Sequence, residues 1–284
     1  MLIDAHNHPN WWGHDGRKIL ANMDEQGIDT MWLLTWECRA VDSSPKLNDH
    51  MPLTGEIISL RDVLSVAREA PDRFVLGYAP DPKRPDAIDR LKAAVEIHGI
   101  RIAGELKVRQ LADDPDAIRM YRYCGEAGLP VTIHLEYPID RKDPAAWSTM
   151  WYGGSIDALE RAIVACPDTV FIGHAKGFWA HISGDDLADK IPSPKGPVLP
   201  GGRVPEMLSR YPNLYADLSG NGVPSLERDL GFSRQFLIEH QDKLLFARDQ
   251  FHTRLMDLLL SLDLPTDVFE KLTHKNALKL LKEE

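Results

Sequence analysis

Short apolar runs rich in β-formers alternate along this chain with longer segments whose apolar positions recur at helical spacing. The runs fall at 2–8, 30–36, 74–79, 102–108, 131–136, 170–174, 214–218 and 244–249, and each reads as a strand. Helical segments lie between them at 17–26, 60–70, 85–98, 115–127, 156–165, 204–210 and 225–240. Two more, 252–262 and 266–281, follow the last strand. One junction shows the contrast: residues 117–124 (AIRMYRYC) keep apolar positions on one helix face, whereas 131–135 (VTIHL) alternate with the strand period. Eight strands separated by helices imply parallel pairing through right-handed crossovers, and eight is the number that closes a (β/α)8 TIM barrel, the expected α/β fold. An open doubly wound sheet is the alternative, but it calls for a glycine-rich first turn, and none follows the first strand. No internal repeat and no Gly/Ser-rich linker divides the chain, so residues 1–284 read as one domain.

Two connections exceed what packing requires. Residues 37–59 follow the second strand, and 176–203 follow the sixth and contain Pro192, Pro194, Pro197 and Pro200. Both lie on the strand-to-helix side, where barrel enzymes build their sites.

Composition narrows the function classes. The chain has 284 residues, 43% hydrophobic and 27% charged, enough to bury a sizeable core. Its net charge of −10, with no basic run, argues against nucleic acid as a partner. Cys38, Cys124 and Cys166 form neither a CxxC motif nor a disulfide framework. With no leader-like segment and no membrane-length apolar stretch, the expectation is a cytoplasmic protein, away from membranes, acting on a small molecule. A homo-oligomer is compatible with the sequence, which does not specify one.

The chemistry gathers at strand ends. His6-x-His8 closes the first strand, and side chains two apart on a strand share a face, so both imidazoles can address one ion. With 11 histidines in the chain, such a pair alone is a weak signal. It gains weight from the other strand ends: Glu105, Lys107 and Arg109 on strand four, His134 on five, His174 on six, Asp249 on eight. Packing alone rarely gathers so many polar groups at one rim, because burying them unpaired costs several kcal/mol each, roughly, and a divalent cation would satisfy them together.

Taken in order, these residues, with residues 215–219 (YADLS), residues 244–249 (LLFARD) and the closing 274–281 (HKNALKLL), resemble the amidohydrolase superfamily over essentially the whole chain. The likeness is to the branch of aminocarboxymuconate-semialdehyde decarboxylase and many small metal-dependent hydrolases. It implies that His6, His8, His134 and Asp249 are metal ligands and that Asp249 is also a proton acceptor. His174 would then contact the water or substrate at the metal. Nitrogen and oxygen ligands suit zinc first, with manganese, iron or cobalt as alternatives, and one or two ions. Strand four stays open. Glu105 resembles the bridging glutamate of TatD-like hydrolases, in which case His134 and His174 complete a second metal position. Lys107 is either a modified bridging lysine or an ion-pair partner of Glu105.

Other residues carry less. Lys107 and Arg109 are candidate substrate-binding residues, Arg109 as an anchor for a substrate carboxylate or a plain rim ion pair. Arg248 alternates outward toward a structural pair. Asp217 is read as support for the ligands or as a core carboxylate. Trp11, Trp12, Trp36, Trp147, Trp151 and Trp179 fall in or near strand-to-helix loops as packing or pocket wall. His14, His50, His98, His181, His240 and His252 read as structural or solvent-facing. The expected function is metal-dependent hydrolysis of a small amide, lactone or ester by an activated water. The alternatives are non-oxidative decarboxylation of an unsaturated or aromatic acid, a TatD-like nuclease, and a non-catalytic barrel with a structural metal.

Overall fold

A computed structural model describes residues 1–37, 58–136, 151–191 and 193–282. Most of the 37–59 connection, with Cys38 and His50, lies outside the described residues, as do Trp147 and Pro192. Eight strands appear where the sequence pattern puts them: β1 Ile3–Asn7, β2 Thr30–Leu33, β3 Phe74–Leu76, β4 Ala103–Leu106, β5 Val131–His134, β6 Phe171–His174, β7 Leu214–Asp217 and β8 Leu244–Leu245. All pair in parallel, in the orders β1-β2-β3 and β4-β5-β6-β7-β8. Two seams join these arcs into a ring. A bridge between Gly77 and Ile102 ties β3 to β4. Ala5 N donates to Phe246 O at 2.9 Å, and Asp249 N to His6 O at 2.9 Å, tying the extension of β8 to β1. The regular part of the eighth strand is thus shorter than 244–249, and residues 246–249 continue it through these bonds to β1.

Helices between the strands start and stop on local signals. Ser59 and Asp62 form a reciprocal capping box on helix Leu60–Ala67. Pro115 follows the Asp114 cap of helix Pro115–Ala127, which Gly128 ends at φ +68°. The expected helix over 225–240 is two, Gly222–Leu226 and Leu230–Glu239, because the Asp229 side chain accepts from Phe232 N and starts a new helix there. The connection after β6 contains helix Lys176–Trp179 and two single turns. The terminal segment is one run with a π-helical turn over Lys271–Lys275. Just beyond that turn, Asn276 Nδ2 reaches Leu244 O at 2.8 Å and holds the start of β8.

The core has two layers. One fills the space between ring and helices, with Leu33, Leu106, Ile133 and Phe171 on the outer strand faces. The other fills the barrel, with Ile3, Ala5, Trp32, Ile102, Ile172, Tyr215, Leu245 and Ala247, and is closed below by Ala277 and Leu281. On β6, β7 and the end of β8 the inward alternation leads straight to His174, Asp217 and Asp249. On β1 and β4 it does not, since Ala5 and Ile102 point inward yet so do His6 and Glu105. Both strands carry a register shift, between Asp4 and Asn7 and between Ala103 and Leu106, and a bulge of this kind re-aims the following side chains. Among the described residues no helix is long and apolar enough to cross a membrane.

Candidate metal centre

At the C-terminal mouth of the ring the strands bring His6, His8, Glu105, His134, His174 and Asp249 together. Register fixes their level: His134 and His174 are directly paired across β5 and β6, and Asp249 is bonded to His6 across the seam. All but Asp249 are buried, and the Asp249 side chain, 17% exposed, faces the opening.

Hydrogen bonds behind the cluster decide which ring nitrogens face it. His8 Nδ1 lies 2.9 Å from Leu34 O, which can only accept, so Nδ1 carries the proton. His6 Nδ1 donates to Asp217 Oδ2 at 2.8 Å. Both Nε2 lone pairs then face each other at 3.2 Å. Two lone pairs that close repel unless a cation sits between or beside them. Asp217 Oδ1 accepts from His174 Nδ1 at 3.0 Å, Ser219 N at 3.1 Å and Ser219 Oγ at 2.6 Å, so His174 also turns Nε2 inward. That nitrogen and Glu105 Oε2 are buried with no hydrogen-bond partner. Glu105 Oε2 stands 3.4 Å from His8 Nε2, Glu105 Oε1 3.4 Å from His174 Nε2, and Asp249 Oδ1 3.5 Å from His8 Nε2.

Two ligand groups therefore share Glu105, one with His6 and His8, the other with His134 and His174. His6, His174 and Asp217 also converge, but there the hydrogen bonds are already made. These donors fit a divalent cation: nitrogen and carboxylate oxygen only, lone pairs inward, and orphaned atoms that it would satisfy.

Burial works against the His174 imidazolium, but the Asp217 and Glu105 carboxylates outweigh it and hold its pKa up to about 10. Burial would push Glu105 up, yet Lys107 and His134 keep it well below the usual carboxylate range. Asp217 is held low in the same way, by His174 and then His6.

Tryptophans peg the backbone around this cluster. Trp11 Nε1 donates to Asp249 O at 2.9 Å, Trp36 Nε1 to Lys107 O at 3.0 Å and Trp179 Nε1 to Asp217 O at 3.0 Å. The first matters most, because Asp249 has φ +54°, which an L-residue rarely adopts, and it is fixed at N–H by His6 and at C=O by Trp11.

The remaining sequence candidates distribute as follows. Lys107 makes no ion pair with Glu105 among the described residues; its Nζ lies 4.0 Å above the Trp36 ring. Arg109 is half-buried beyond it, and its carbonyl accepts from Lys83 Nζ. Arg248 points outward and donates through Nε to Asp4 Oδ2 at 2.8 Å, with Asp4 also accepting from Arg248 N and Asn7 Nδ2. The pair is buried and clamps the two strands that carry His6, His8 and Asp249. Asp217 holds His6 and His174 by hydrogen bonds rather than merely filling the core. His14 stacks on Phe251 and His240 packs on Phe236, away from the cluster. Two residues went unread in the sequence. Glu136 Oε2 lies 3.2 Å from His134 Nε2, a contact that the i, i+2 spacing on β5 could have signalled. Asp4, two before His6, carries no motif. An open groove of about 510 Å³ at the N-terminal ends of β2 and β3, lined by Arg68, Phe74, His98 and Arg101, lies at the far end of the barrel from this chemistry.

Comparison with known proteins agrees with this architecture. A family model described as amidohydrolase matches residues 3–282. No curated protein sequence matches. Among solved structures, a 2,6-dihydroxybenzoate decarboxylase from Rhizobium is 18% identical with TM-score 0.65, covering 99% of this chain and 98% of its own. A Pseudomonas putida protein given the working description 2-pyrone-4,6-dicarboxylic acid hydrolase is 14% identical with TM-score 0.62, covering 99% and 97%. A zinc-bound amidohydrolase from Burkholderia multivorans is 15% identical with TM-score 0.62, covering 100% of both chains. At these identities the likeness is one of fold.

Proposed function

This chain belongs to the amidohydrolase family, and from that premise we propose that it is a metal-dependent hydrolase of a small amide, lactone or ester. The observation that carries the reading is the convergence of the His6, His8 and His174 Nε2 atoms on the Glu105 and Asp249 carboxylates. His6, His8 and Asp249 would hold a divalent ion, zinc by preference, with Glu105 shared toward a second position at His134 and His174. Such a cation polarises a substrate carbonyl and makes a water acidic enough to attack it near neutral pH. Asp249 is the one carboxylate of the cluster turned to the opening, so it accepts the water's proton at Oδ and passes it to the leaving group. His174, tied at Nδ1 to Asp217 and kept protonated by the neighbouring carboxylates, would donate from Nε2–H to the carbonyl oxygen and orient it. The Trp11, Trp36 and Tyr152 rings pack edge-on beside the cluster as an apolar wall.

A second reading, non-oxidative decarboxylation of an unsaturated or aromatic acid, draws support from the activity of the Rhizobium neighbour. The metal-loaded protein, offered amides, lactones, esters and aromatic acids, is expected to consume water without releasing carbon dioxide; carbon dioxide with no hydrolysis product would select the second reading. In either case His174→Asn keeps the ion at His6, His8 and Asp249 and loses on the order of 10²-fold in turnover. Normal turnover of that variant would remove His174 from the mechanism.

A further inference from the structure

Lys107 is a buried cation with no anion in contact with it among the described residues. Its side chain follows Glu105 by two residues at the end of β4, and the residue is 7% exposed. Trp36 holds its carbonyl, and Nζ lies 4.0 Å from the Trp36 ring, 5.6 Å from Tyr152 and 5.9 Å from Trp11. Among the described residues no hydrogen bond or ion pair reaches that nitrogen. Faces of aromatic rings attract an ammonium but replace only part of the hydration it gives up. The same rings lead back to the metal centre, since Trp11 packs edge-on to His8 and Tyr152 edge-on to His134. Glu105 and Glu136 supply negative potential from a distance. A divalent cation in the cluster would draw on that potential itself, leaving Lys107 as a second positive centre beside an aromatic wall.

We infer that Lys107 Nζ is the anchor for a carboxylate on the substrate, whose apolar body lies against Trp11 and Trp36. This rests on the cluster being the reaction centre. The anchored carboxylate is a handle, set apart from the group that reacts at the metal.

The test uses binding, so it does not depend on knowing the reaction. Metal-loaded protein is titrated calorimetrically with benzoate, with its neutral isostere benzamide, and with inorganic phosphate. Benzoate is expected to bind at least 10-fold more tightly than benzamide. Lys107→Met, which keeps the length and burial of the side chain, is expected to reduce benzoate affinity to the benzamide level with metal content unchanged, and Lys107→Gln to do the same. Equal binding of benzoate and benzamide, or undiminished benzoate affinity in both variants, overturns the inference. Lys107-dependent binding of phosphate but not benzoate overturns the carboxylate assignment. Loss of metal in both variants would make Lys107 part of the metal centre and overturn its role as a handle. Each result is independent of whether turnover proves hydrolytic, so the handle and the proposed reaction fail separately.

Discussion

Asp217→Asn changes one atom of a buried carboxylate, and the structure dictates which histidine suffers. Asp217 accepts four hydrogen bonds, three at Oδ1 and one at Oδ2. One of the three comes from the backbone N–H of Ser219, which cannot change its role. The asparagine oxygen must therefore take the Oδ1 position, and its NH2 then confronts His6 Nδ1–H across 2.8 Å, donor against donor. His6 escapes by moving its proton to Nε2, the atom that faces His8 Nε2 at 3.2 Å and that the proposed ion would need. A carboxylate behind a ligating histidine is typically worth 10–100-fold in metal affinity, about 1.4–2.8 kcal/mol. Competition against a chromogenic chelator reads this directly, and nitrogen-15 chemical shifts of the imidazoles report which histidine changes tautomer. His6 is expected to change while His8 keeps Nδ1–H on Leu34 O. Affinity within threefold of wild type, or a change at His8 instead, would refute the reasoning.

Two further outcomes follow from the same geometry. Glu105→Gln keeps volume but removes the charge shared by both ligand groups, so metal stoichiometry should fall from near two to near one with severe loss of activity; unchanged stoichiometry by elemental analysis would show that Glu105 does not bridge. Asp4→Asn deprives the buried Arg248 of the one ion-pair partner it has among the described residues and should destabilise the fold by about 3–5 kcal/mol in denaturant unfolding, whereas a loss under about 1 kcal/mol would mean that water satisfies the guanidinium.

The barrel was legible because its signals are local. Parallel strands covered by helices need continuous apolar runs, and capped helices need Ser, Asp and Gly at their ends, all visible residue by residue. The metal-site candidates were legible as residue types at strand ends. Their orientation was only partly so. On β6 the period of two runs unbroken from Ile172 to His174, but on β1 and β4 a bulge shifts the phase, and nothing in Ala5-His6 or Gly104-Glu105 announces it. The ion pair that was one alternative for Glu105 and Lys107 does not form among the described residues, because shared parity says nothing about an aromatic ring arriving from another loop: Trp36 takes the ammonium instead. Long-range pegs such as Trp11 to Asp249 and clamps such as Asp4 to Arg248 span most of the chain, and no spacing rule reaches that far.

The central claim is that the lone pairs converging between β1, β4 and the end of β8 exist to hold a divalent cation. Elemental analysis of purified, metal-saturated wild type beside the His6→Ala, His8→Ala double variant tests it most directly. The account predicts at least one transition-metal ion per chain in the wild type and none in the folded variant; equal metal in both would contradict it.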